Sequence, residues 1–482
     1  MVEMMWRMVL VLLLVGLLGG CGPGGGRQTI DESFVRVSPR DSRYFELSNG
    51  EPFIPIGLNI AFPRFLIDED AVYRKMEERM RNLSENGGNL IRVWLGHPFY
   101  NVEHQHSGRY DSMKIRRIDH ILALARKYHL RIEFTFDYFR TLEEEAPRFA
   151  GAPSLGNPLQ NESAGGPAKD MTEFFTLAKS KARYKRKLAW FAKRYRDEPA
   201  VFAWELWDEI NEVSGGGWQA WTEEMLQELH TLFPNHLAVQ SVGNLDVYRK
   251  RLLFATIWKL PENDFVEVHR FLDRGADLEA DRGPIDVMAA DAIRTAAAIA
   301  PGKPVLLGET GAVEPGQSGP SRLYEKDQLG SILHDVLFAP FFAGSAGTGQ
   351  IWHWYFYVEK QNLWGQFGRF AEMVKGIDPP AEGFVSGMLE QDRLRTYTLR
   401  GKHTFLAWCR DKEADWRRDL EQSAVEPVRG AVLDFTQLES GAPPGRVRLF
   451  NPWTDEWIDA RLEEGKLELP TFLRSMVVRI DR

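Results

Sequence analysis

Short apolar runs alternate with longer amphipathic stretches along most of the chain. The runs cover residues 53–60, 89–95, 130–136, 201–206, 237–242, 265–268, 304–307 and 350–355. They are largely apolar rather than strictly alternating, which is typical of parallel strands that are buried on both faces. Ahead of them, Asn49-Gly50 lies between two short apolar segments and predicts a hairpin turn. The pattern therefore predicts eight parallel strands after an N-terminal hairpin.

The stretches between the runs have helical spacing. Ile118, Leu122 and Ala125 share one face of a helix predicted over 115–128. The same spacing predicts helices over 172–196, 285–300 and 327–339. Eight strands separated by helices predict an α/β fold, a (β/α)₈ TIM barrel, which needs about 250 residues or more. We place this barrel over residues 34–377.

A different pattern begins near residue 383. Strand-like segments at 395–399, 404–408, 431–435, 447–450 and 476–480 replace the alternation of strands and helices. Turn-rich spacers separate them, which predicts antiparallel strands. We therefore expect a small C-terminal all-β domain over 383–482, resembling a β-sandwich.

The first residues have the pattern of an export signal. Arg7 precedes an apolar run over residues 8–18, and Leu18-Gly19-Gly20-Cys21 follows it. The run is short for a mature membrane-spanning helix, and small residues precede the cysteine. This ending resembles a bacterial lipobox, which implies a signal peptide over 1–20 and lipidation of Cys21. The glycine-rich segment that follows predicts a flexible tether over 21–33.

The predicted location is therefore outside the cytoplasm, on a membrane surface. The resemblance to lipoproteins of Gram-negative bacteria favours the outer membrane of the cell envelope, because Gly22 and not aspartate follows the cysteine. The only other cysteine, Cys409, lies in an apolar run, where we expect a buried thiol. The formal net charge of -8 argues against a nucleic-acid partner, since phosphate binding needs clustered Lys and Arg.

Polar residues follow or end the predicted strands. Catalytic residues of a TIM barrel lie at the carboxyl ends of the strands, so these residues are the candidates for chemistry. They are Asn59, Arg92, Asp137, Asp208, Glu209, His269, Glu309 and the segment Trp352-His353-Trp354.

Glu209 and Glu309 form the best candidate pair, because they follow the fourth and seventh strands. Cleavage of a glycosidic bond needs two carboxyl groups, one to donate a proton and one to attack or to activate water. Arg92 is placed to keep one of them ionised, since a nearby cation favours the charged form.

These motifs resemble the clan A glycoside hydrolases, and family 5, which includes cellulases and mannanases, most of all. The resemblance is carried by Trp204-Glu205-Leu206-Trp207-Asp208-Glu209, Glu309-Thr310-Gly311 and Trp352-His353-Trp354. It implies a retaining mechanism with Glu209 as acid/base and Glu309 as nucleophile. It also implies that Arg92 supports Glu309, that His269 is the strand-six histidine, and that Trp354 is a platform for the sugar.

Three positions depart from the family pattern. Asp208 replaces the usual asparagine before the acid/base, Phe271 replaces a frequent tyrosine, and Asp137 replaces a frequent histidine. For Asp208, sugar contact and a structural or capping role are equally open. For Asp137, a salt bridge is somewhat favoured over sugar contact.

Two further groups have competing interpretations. Trp352 and Trp354 are two residues apart on a predicted strand and would share a face, with Trp354 nearer the barrel mouth and Trp352 in the core. His97, His104 and His106 could suggest a metal, but no further ligands converge on them in sequence. We expect neither a metal nor a cofactor.

The leading hypothesis is a retaining glycoside hydrolase that cleaves a β-linked polysaccharide or oligosaccharide of glucan or mannan type. The alternative is a non-catalytic carbohydrate-binding surface lipoprotein with a degenerate barrel, which the departures at Asp208 and Phe271 allow. In either case the expected partners are a carbohydrate and, through Cys21, a membrane.

Overall fold

The computed structural model describes residues 32–482 except 64–67, 105, 139–161, 163–164, 214 and 438–444. The predicted signal peptide, the lipidation site Cys21 and nearly all of the predicted tether lie outside the described residues. No helix within the described residues is long and apolar enough to cross a membrane.

The strands and helices alternate up to about residue 380, and strands predominate after it. The strands are β1 (Val35–Val37), β2 (Phe45–Leu47), β3 (Pro52–Phe53), β4 (Gly57–Asn59), β5 (Leu90–Trp94), β6 (Arg131–Tyr138), β7 (Val201–Asp208), β8 (Leu237–Val239), β9 (Val242–Asn244), β10 (Val266–Asp273), β11 (Val305–Val313), β12 (Val385–Glu390), β13 (Leu394–Arg400), β14 (Thr404–Asp411), β15 (Val432–Asp434), β16 (Arg446–Asn451), β17 (Glu456–Ala460), β18 (Lys466–Glu468) and β19 (Ser475–Asp481). The helices are α1 (Glu69–Glu85), α2 (Ser112–Lys127), α3 (Met171–Thr176), α4 (Ala178–Tyr195), α5 (Trp218–Leu232), α6 (Lys250–Trp258), α7 (Glu279–Arg282), α8 (Ile285–Ile299), α9 (Leu323–Lys326), α10 (Ser331–Phe342), α11 (Gly365–Val374) and α12 (Pro379–Glu382).

Parallel strands form the centre of the first part. Strands β4 to β8 pair in chain order, and so do β9, β10 and β11. Ile351 forms parallel bridges to Leu58 next to one end of this series and to Thr310 at the other. Every residue of β4 to β11 is buried, as expected for strands covered on both faces.

Helix ends follow local capping chemistry. The side chains of Asp68, Asp111 and Asp170 accept hydrogen bonds from backbone N–H groups in the first turns of α1, α2 and α3. Such bonds satisfy donors that have no partner within the helix. The helix predicted over 172–196 is two helices, because Leu177 between α3 and α4 has an extended backbone.

The C-terminal part is built from antiparallel strands. Among the described residues, β12-β13-β14-β19-β16-β17 is the order of its larger sheet, and β15 pairs with β18. Successive residues of β14 serve two cores: Phe405, Ala407 and Cys409 pack among the strands of this part, while Leu406 and Trp408 pack towards the first part. Cys409 is a buried free thiol, as the apolar run around it predicts.

Helix α10 lies between the two parts and is buried along its whole length. Trp408 of β14 contacts its Phe338 and Phe342, with ring centroids 5.8 and 6.0 Å apart. Apolar residues on all sides of a helix are typical of such a fully buried position, and its polar His334 and Asp335 bond to Ser475 and Arg410.

The N-terminal hairpin prediction is confirmed, since β2 and β3 pair around Gly50, whose φ is +94°. The prediction of a strand over 350–355 is wrong. Only Ile351 forms bridges there, and the chain then turns into a π-helical segment, Trp354–Val358.

Candidate active site

Glu209 follows directly after β7 in a left-handed backbone conformation, with φ 49° and ψ 51°. Its backbone N–H donates a hydrogen bond to Ser241 Oγ at 3.0 Å. This conformation is uncommon for a residue with a Cβ and costs about 1–3 kcal/mol, so it persists where surrounding contacts impose it. Such strained positions cluster at functional sites.

Glu309 lies within β11, opposite His269 of β10 in the strand register. The pairing of β10 with both neighbours shifts between Val268 and His269. Irregularities of this kind change where a side chain points and are frequent next to active sites. The shift therefore occurs at the position that brings His269 and Glu309 together.

His269 holds the two glutamates close to each other. Its Nδ1 lies 2.8 Å from Glu209 Oε1 and 3.8 Å from Glu309 Oε2. The separation of these two oxygens therefore cannot exceed the two distances laid end to end. The structure thus brings both predicted carboxyl groups to one histidine nitrogen.

Arg92 is wholly buried and binds several carboxylates. Its Nη1 donates to Glu309 Oε1, and its Nη2 donates to Asp208 Oδ1 at 2.7 Å and to Glu205 Oε2 at 2.6 Å. Its Nε also donates to Glu205 Oε2, at 2.9 Å, and lies 3.5 Å from Glu267 Oε1. The predicted neighbours Arg92, Asp208 and Glu309 are therefore in direct contact.

Burial and charge oppose each other at these groups. Burial raises the pKa of Glu309 to about 7, although His269 and Arg92 act to lower it. Burial, then the charge of Glu309, holds the pKa of Asp208 well above its usual range. For His269, burial lowers the pKa, but the charge of Glu309 and the hydrogen bond to Glu209 outweigh it, so the net pKa is well above its usual value.

Asn59 and Asp137 make structural contacts. The Asn59 amide donates to the carbonyl oxygens of Gly308 and Gln350 at 2.9 and 3.2 Å, so it joins β4 to the neighbouring chain segments. Its Oδ1 accepts from Arg92 Nη1 at 3.4 Å. Asp137 pairs with Lys187 of α4 at 3.0 Å, and both side chains are buried. The salt-bridge interpretation of Asp137 is therefore the one that the structure favours.

A pocket opens above the two glutamates, and its lining corrects the expectation for the tryptophans. It is lined by Glu209, Phe271, Glu309, Val313, Gln317, Gly319, Trp352 and His353.

Trp352 packs in the core, as expected, and also lines this pocket, whereas Trp354, expected as the platform, is fully buried beside Phe62 and Trp352. The reason is the chain direction. Ile351 forms only isolated bridges, His353 has a non-extended backbone, and the alternation of side chains expected for a strand is absent.

Three buried glutamates below the site were not among the predicted site residues. Oxygens of Glu133, Glu205 and Glu267 lie within 4.8 Å of one another. Burial, then the charges of Glu267 and Glu205, raises the pKa of Glu133 well above its usual range. A sequence signal exists for them, since each is a charged residue inside an apolar strand run.

Two groups have the composition of metal ligands, namely Asp208 with His269 and Glu309, and Glu133 with Glu205 and Glu267. In both, the Arg92 guanidinium bonds or pairs with members of the group. A cation is therefore already provided by the chain. Of the histidines considered for metal, His97 stacks on Phe62, and His104 bonds to Asp111.

Known proteins with similar sequences include mannan endo-1,4-beta-mannosidases. No protein-family model matches the chain. Mannan endo-1,4-beta-mannosidase 7 of Arabidopsis thaliana is 24% identical over 265 residues, which are 50% of this chain and 59% of that protein.

Mannan endo-1,4-beta-mannosidase 5 of Solanum lycopersicum is 26% identical over 278 residues, 52% of this chain and 64% of the tomato protein. The alignment with mannan endo-1,4-beta-mannosidase 1 of Oryza sativa subsp. japonica is longer, with 24% identity over 409 residues, 78% of this chain and 88% of that protein. The chain thus spans less than two thirds of the first two of these relatives.

Solved structures share the fold over nearly the whole chain. One described as a glycoside hydrolase has a TM-score of 0.60 at 14% identity and covers 93% of this chain and 97% of its own. A glycoside hydrolase family 5 structure from Bacteroides vulgatus has a TM-score of 0.59 at 13% identity and covers 93% and 94%. At such identities the likeness establishes the fold, including the C-terminal sheets.

Proposed function

We propose that the protein is a retaining glycoside hydrolase that cleaves a β-linked polysaccharide of mannan type. Glu309 attacks the anomeric carbon and forms a glycosyl-enzyme intermediate, while Glu209 protonates the departing oxygen. Glu209 then removes a proton from water, which hydrolyses the intermediate and returns both carboxyl groups to their starting states.

The observation that carries this proposal is the contact of both glutamates with His269. Retaining enzymes hold their carboxyl groups about 5–5.5 Å apart and inverting enzymes about 6.5–9.5 Å apart. Since Glu209 Oε1 lies 2.8 Å and Glu309 Oε2 lies 3.8 Å from one nitrogen, these oxygens are no farther apart than the two distances laid end to end, which excludes all but the lowest end of the inverting range. The geometry therefore favours the retaining mechanism.

The division of roles follows from the partners of each glutamate. Glu309 accepts a hydrogen bond from Arg92, and an adjacent guanidinium favours the ionised form that a nucleophile needs. Glu209 bonds to His269 and lines the same pocket. Glu309 is therefore assigned as nucleophile and Glu209 as acid/base.

We further propose that the parallel strands close into an eight-stranded barrel, in which β8 and β9 are two halves of one strand and the short segment at Ile351 takes the eighth place between β11 and β4. The bridges of Ile351 to Leu58 and Thr310 support this closure. In such a barrel the pocket lies at the carboxyl ends of the strands, where barrel enzymes have their active sites.

The substrate class rests on the relatives and on the pocket. The aligned relatives are mannan endo-1,4-beta-mannosidases. Trp352 lines the pocket, and an aromatic ring is suited to pack against the C–H face of a sugar ring. The relatives favour mannan over glucan, which the sequence motifs leave equally open.

The test is turnover of a polysaccharide panel, containing β-mannan and β-glucan, by the wild type and by glutamate variants. Glu309→Gln and Glu209→Gln should each lower kcat on β-mannan by about 1,000-fold or more. The exposed Glu223 of α5 provides the matched control, and Glu223→Gln should retain activity.

NMR of the first product should show the β-anomer. An α-anomer as first product would refute the retaining mechanism.

A carbohydrate-binding protein without catalysis is the competing outcome. In that case the wild type would bind β-mannan but would hydrolyse neither polysaccharides nor activated aryl β-glycosides. The Glu309→Gln variant would still bind β-mannan. Asp208 and Phe271 are the departures that keep this outcome open.

We also propose that Cys21 carries a lipid and anchors the protein to the outer membrane. The support is the sequence alone, with an apolar run followed by Leu18-Gly19-Gly20-Cys21. Expression of the full chain in a Gram-negative host and membrane fractionation test this proposal. Cys21→Ser should move the protein out of the membrane fraction, and equal fractionation of both forms would refute lipidation.

A further inference from the structure

The interior below the pocket contains more carboxyl groups than cations. Within the described part of the chain, the buried carboxyl groups at the site belong to Glu133, Glu205, Asp208, Glu209, Glu267 and Glu309, and the buried cations to Arg92 and His269. Lys250 faces Glu209 from outside, but it is paired with Asp246 at 2.9 Å. Several uncompensated negative charges away from water would be very costly.

Some of these carboxyl groups must therefore hold protons, and contacts indicate which. Glu205 and Glu309 both accept hydrogen bonds from Arg92. Glu205 Oε1 has no partner among the described residues, but its Oε2 accepts two bonds from Arg92 and one from Thr135, which favours the ionised form. Glu133 has no such bond and faces Glu205 and Glu267, which makes it one protonated group. It does not lie at the pocket, so its proton has no direct part in the proposed chemistry.

Asp208 is the second such group, and it lies at the reacting centre. Its Oδ1 accepts from Arg92 Nη2, but its Oδ2 is buried without a hydrogen-bond partner among the described residues. A carboxylate oxygen left in that state loses its hydration without compensation. A proton on Oδ2 removes the charge, and Glu309 has an oxygen within 4.8 Å of Asp208.

We propose that Asp208 is a positioning residue that works as a neutral carboxylic acid. Its neutrality leaves Arg92 as the counter-ion of Glu309 and avoids a second negative charge beside the nucleophile. This inference rests on the proposed function, because Glu309 is the nucleophile only in that reaction.

The charged and titratable groups that face Asp208 come from four strands. They are Arg92 of β5, Glu205 of β7 and Glu209 directly after it, His269 of β10 and Glu309 of β11. If Asp208 loses its proton, it becomes a second anion that competes with Glu309 for Arg92. Activity should therefore fall when the pH rises through the pKa of Asp208, which burial and the charge of Glu309 place well above its usual range.

The test is the pH dependence of kcat/KM for the wild type and Asp208→Asn on an aryl β-mannoside with a good leaving group. Such a leaving group needs no proton from Glu209, so Glu209 does not determine the alkaline limb. Asp208→Asn keeps the shape but cannot ionise. It should retain kcat/KM at neutral pH within about threefold and should lose the alkaline decline. A loss of more than about 100-fold with an unchanged decline would overturn the inference.

A second measurement does not depend on activity. Infrared spectra of the full protein at neutral pH should contain C=O bands of protonated carboxyl groups, and Asp208→Asn should remove one of them. Glu133→Gln is the matched control, which should remove a different band and leave the alkaline decline in place. If the wild type hydrolyses no glycoside, the proposed function fails, and the infrared comparison alone decides the inference. An unchanged spectrum in Asp208→Asn would overturn it.

Discussion

Glu309 is buried, although the proposed reaction requires its ionised form. Burial disfavours the charge, whereas Arg92 and His269 favour it, and the pKa remains raised to about 7. The ionised fraction of Glu309, the proposed nucleophile, is therefore sensitive to small changes of local charge.

The first prediction concerns the acid side of the pH profile. A raised pKa means that Glu309 takes up its proton near neutral pH, and a protonated carboxyl is a poor nucleophile. We expect kcat/KM on an activated aryl β-glycoside to fall about tenfold per pH unit below about pH 7. A profile that stays flat down to about pH 5 would contradict this assignment.

The second prediction separates the two tryptophans. Trp354→Ala should lower the free energy of unfolding by about 3–5 kcal/mol, because the side chain is fully buried. Trp352→Ala should lower kcat/KM on β-mannan by about 10- to 100-fold well below its unfolding temperature, because Trp352 lines the pocket. Denaturant unfolding and kinetics check the two effects. A larger kinetic loss for Trp354→Ala would reverse the assignment.

Among the secondary-structure elements, the strands were predicted well from the apolar runs, but the place where the chain changes direction after Ile351 was not. The buried parallel strands that carry Arg92, His269 and Glu309, and the end of β7 that precedes Glu209, follow from apolar runs. The platform assignment of Trp354 was wrong because it assumed that a strand continues past Ile351. No local sequence pattern predicts the π-helical turn there. Glu133, Glu205 and Glu267 have a role only through contacts between strands, which a single sequence does not contain.

The third prediction concerns the packing of β11 on β10. Gly308 precedes Glu309, and a Cβ there would overlap the side chain of Glu267. Gly308→Ala should therefore displace Glu267 and destabilise the protein by about 1–3 kcal/mol, and kcat should fall with it. Gly365→Ala is the control, because Gly365 begins α11 with open space around its Cα and alanine favours a helix. Equal unfolding temperatures for both variants would contradict the prediction.

At the scale of the whole molecule, a buried ion pair joins the two parts. Arg410 of β14 bonds to Asp335 of α10 through Nε and Nη2, at 2.8 and 2.9 Å. Both side chains are almost fully buried. The C-terminal sheet is thus attached by apolar contacts around Trp408 and by polar contacts that include this pair and the pair of Arg395 with Asp286.

The fourth prediction follows from that pair. Asp335→Ala leaves a buried guanidinium without its counter-ion and should cost about 3–5 kcal/mol of unfolding free energy. Replacing both residues, with Asp335→Leu and Arg410→Met, should cost less than Asp335→Ala alone. The exposed pair of Arg446 and Asp459 is the control, where Asp459→Ala should cost at most about 1 kcal/mol. Denaturant unfolding measures all four proteins, and a double variant less stable than Asp335→Ala would refute this account.

The position of β19 has a consequence for biosynthesis. It lies between β14 and β16, yet it is the last of these strands to leave the ribosome. Until it is synthesised, the inner edges of β14 and β16 have no partner. A nascent chain in this state has unpaired strand edges that invite aggregation, so we expect chaperone binding to last until this strand has emerged.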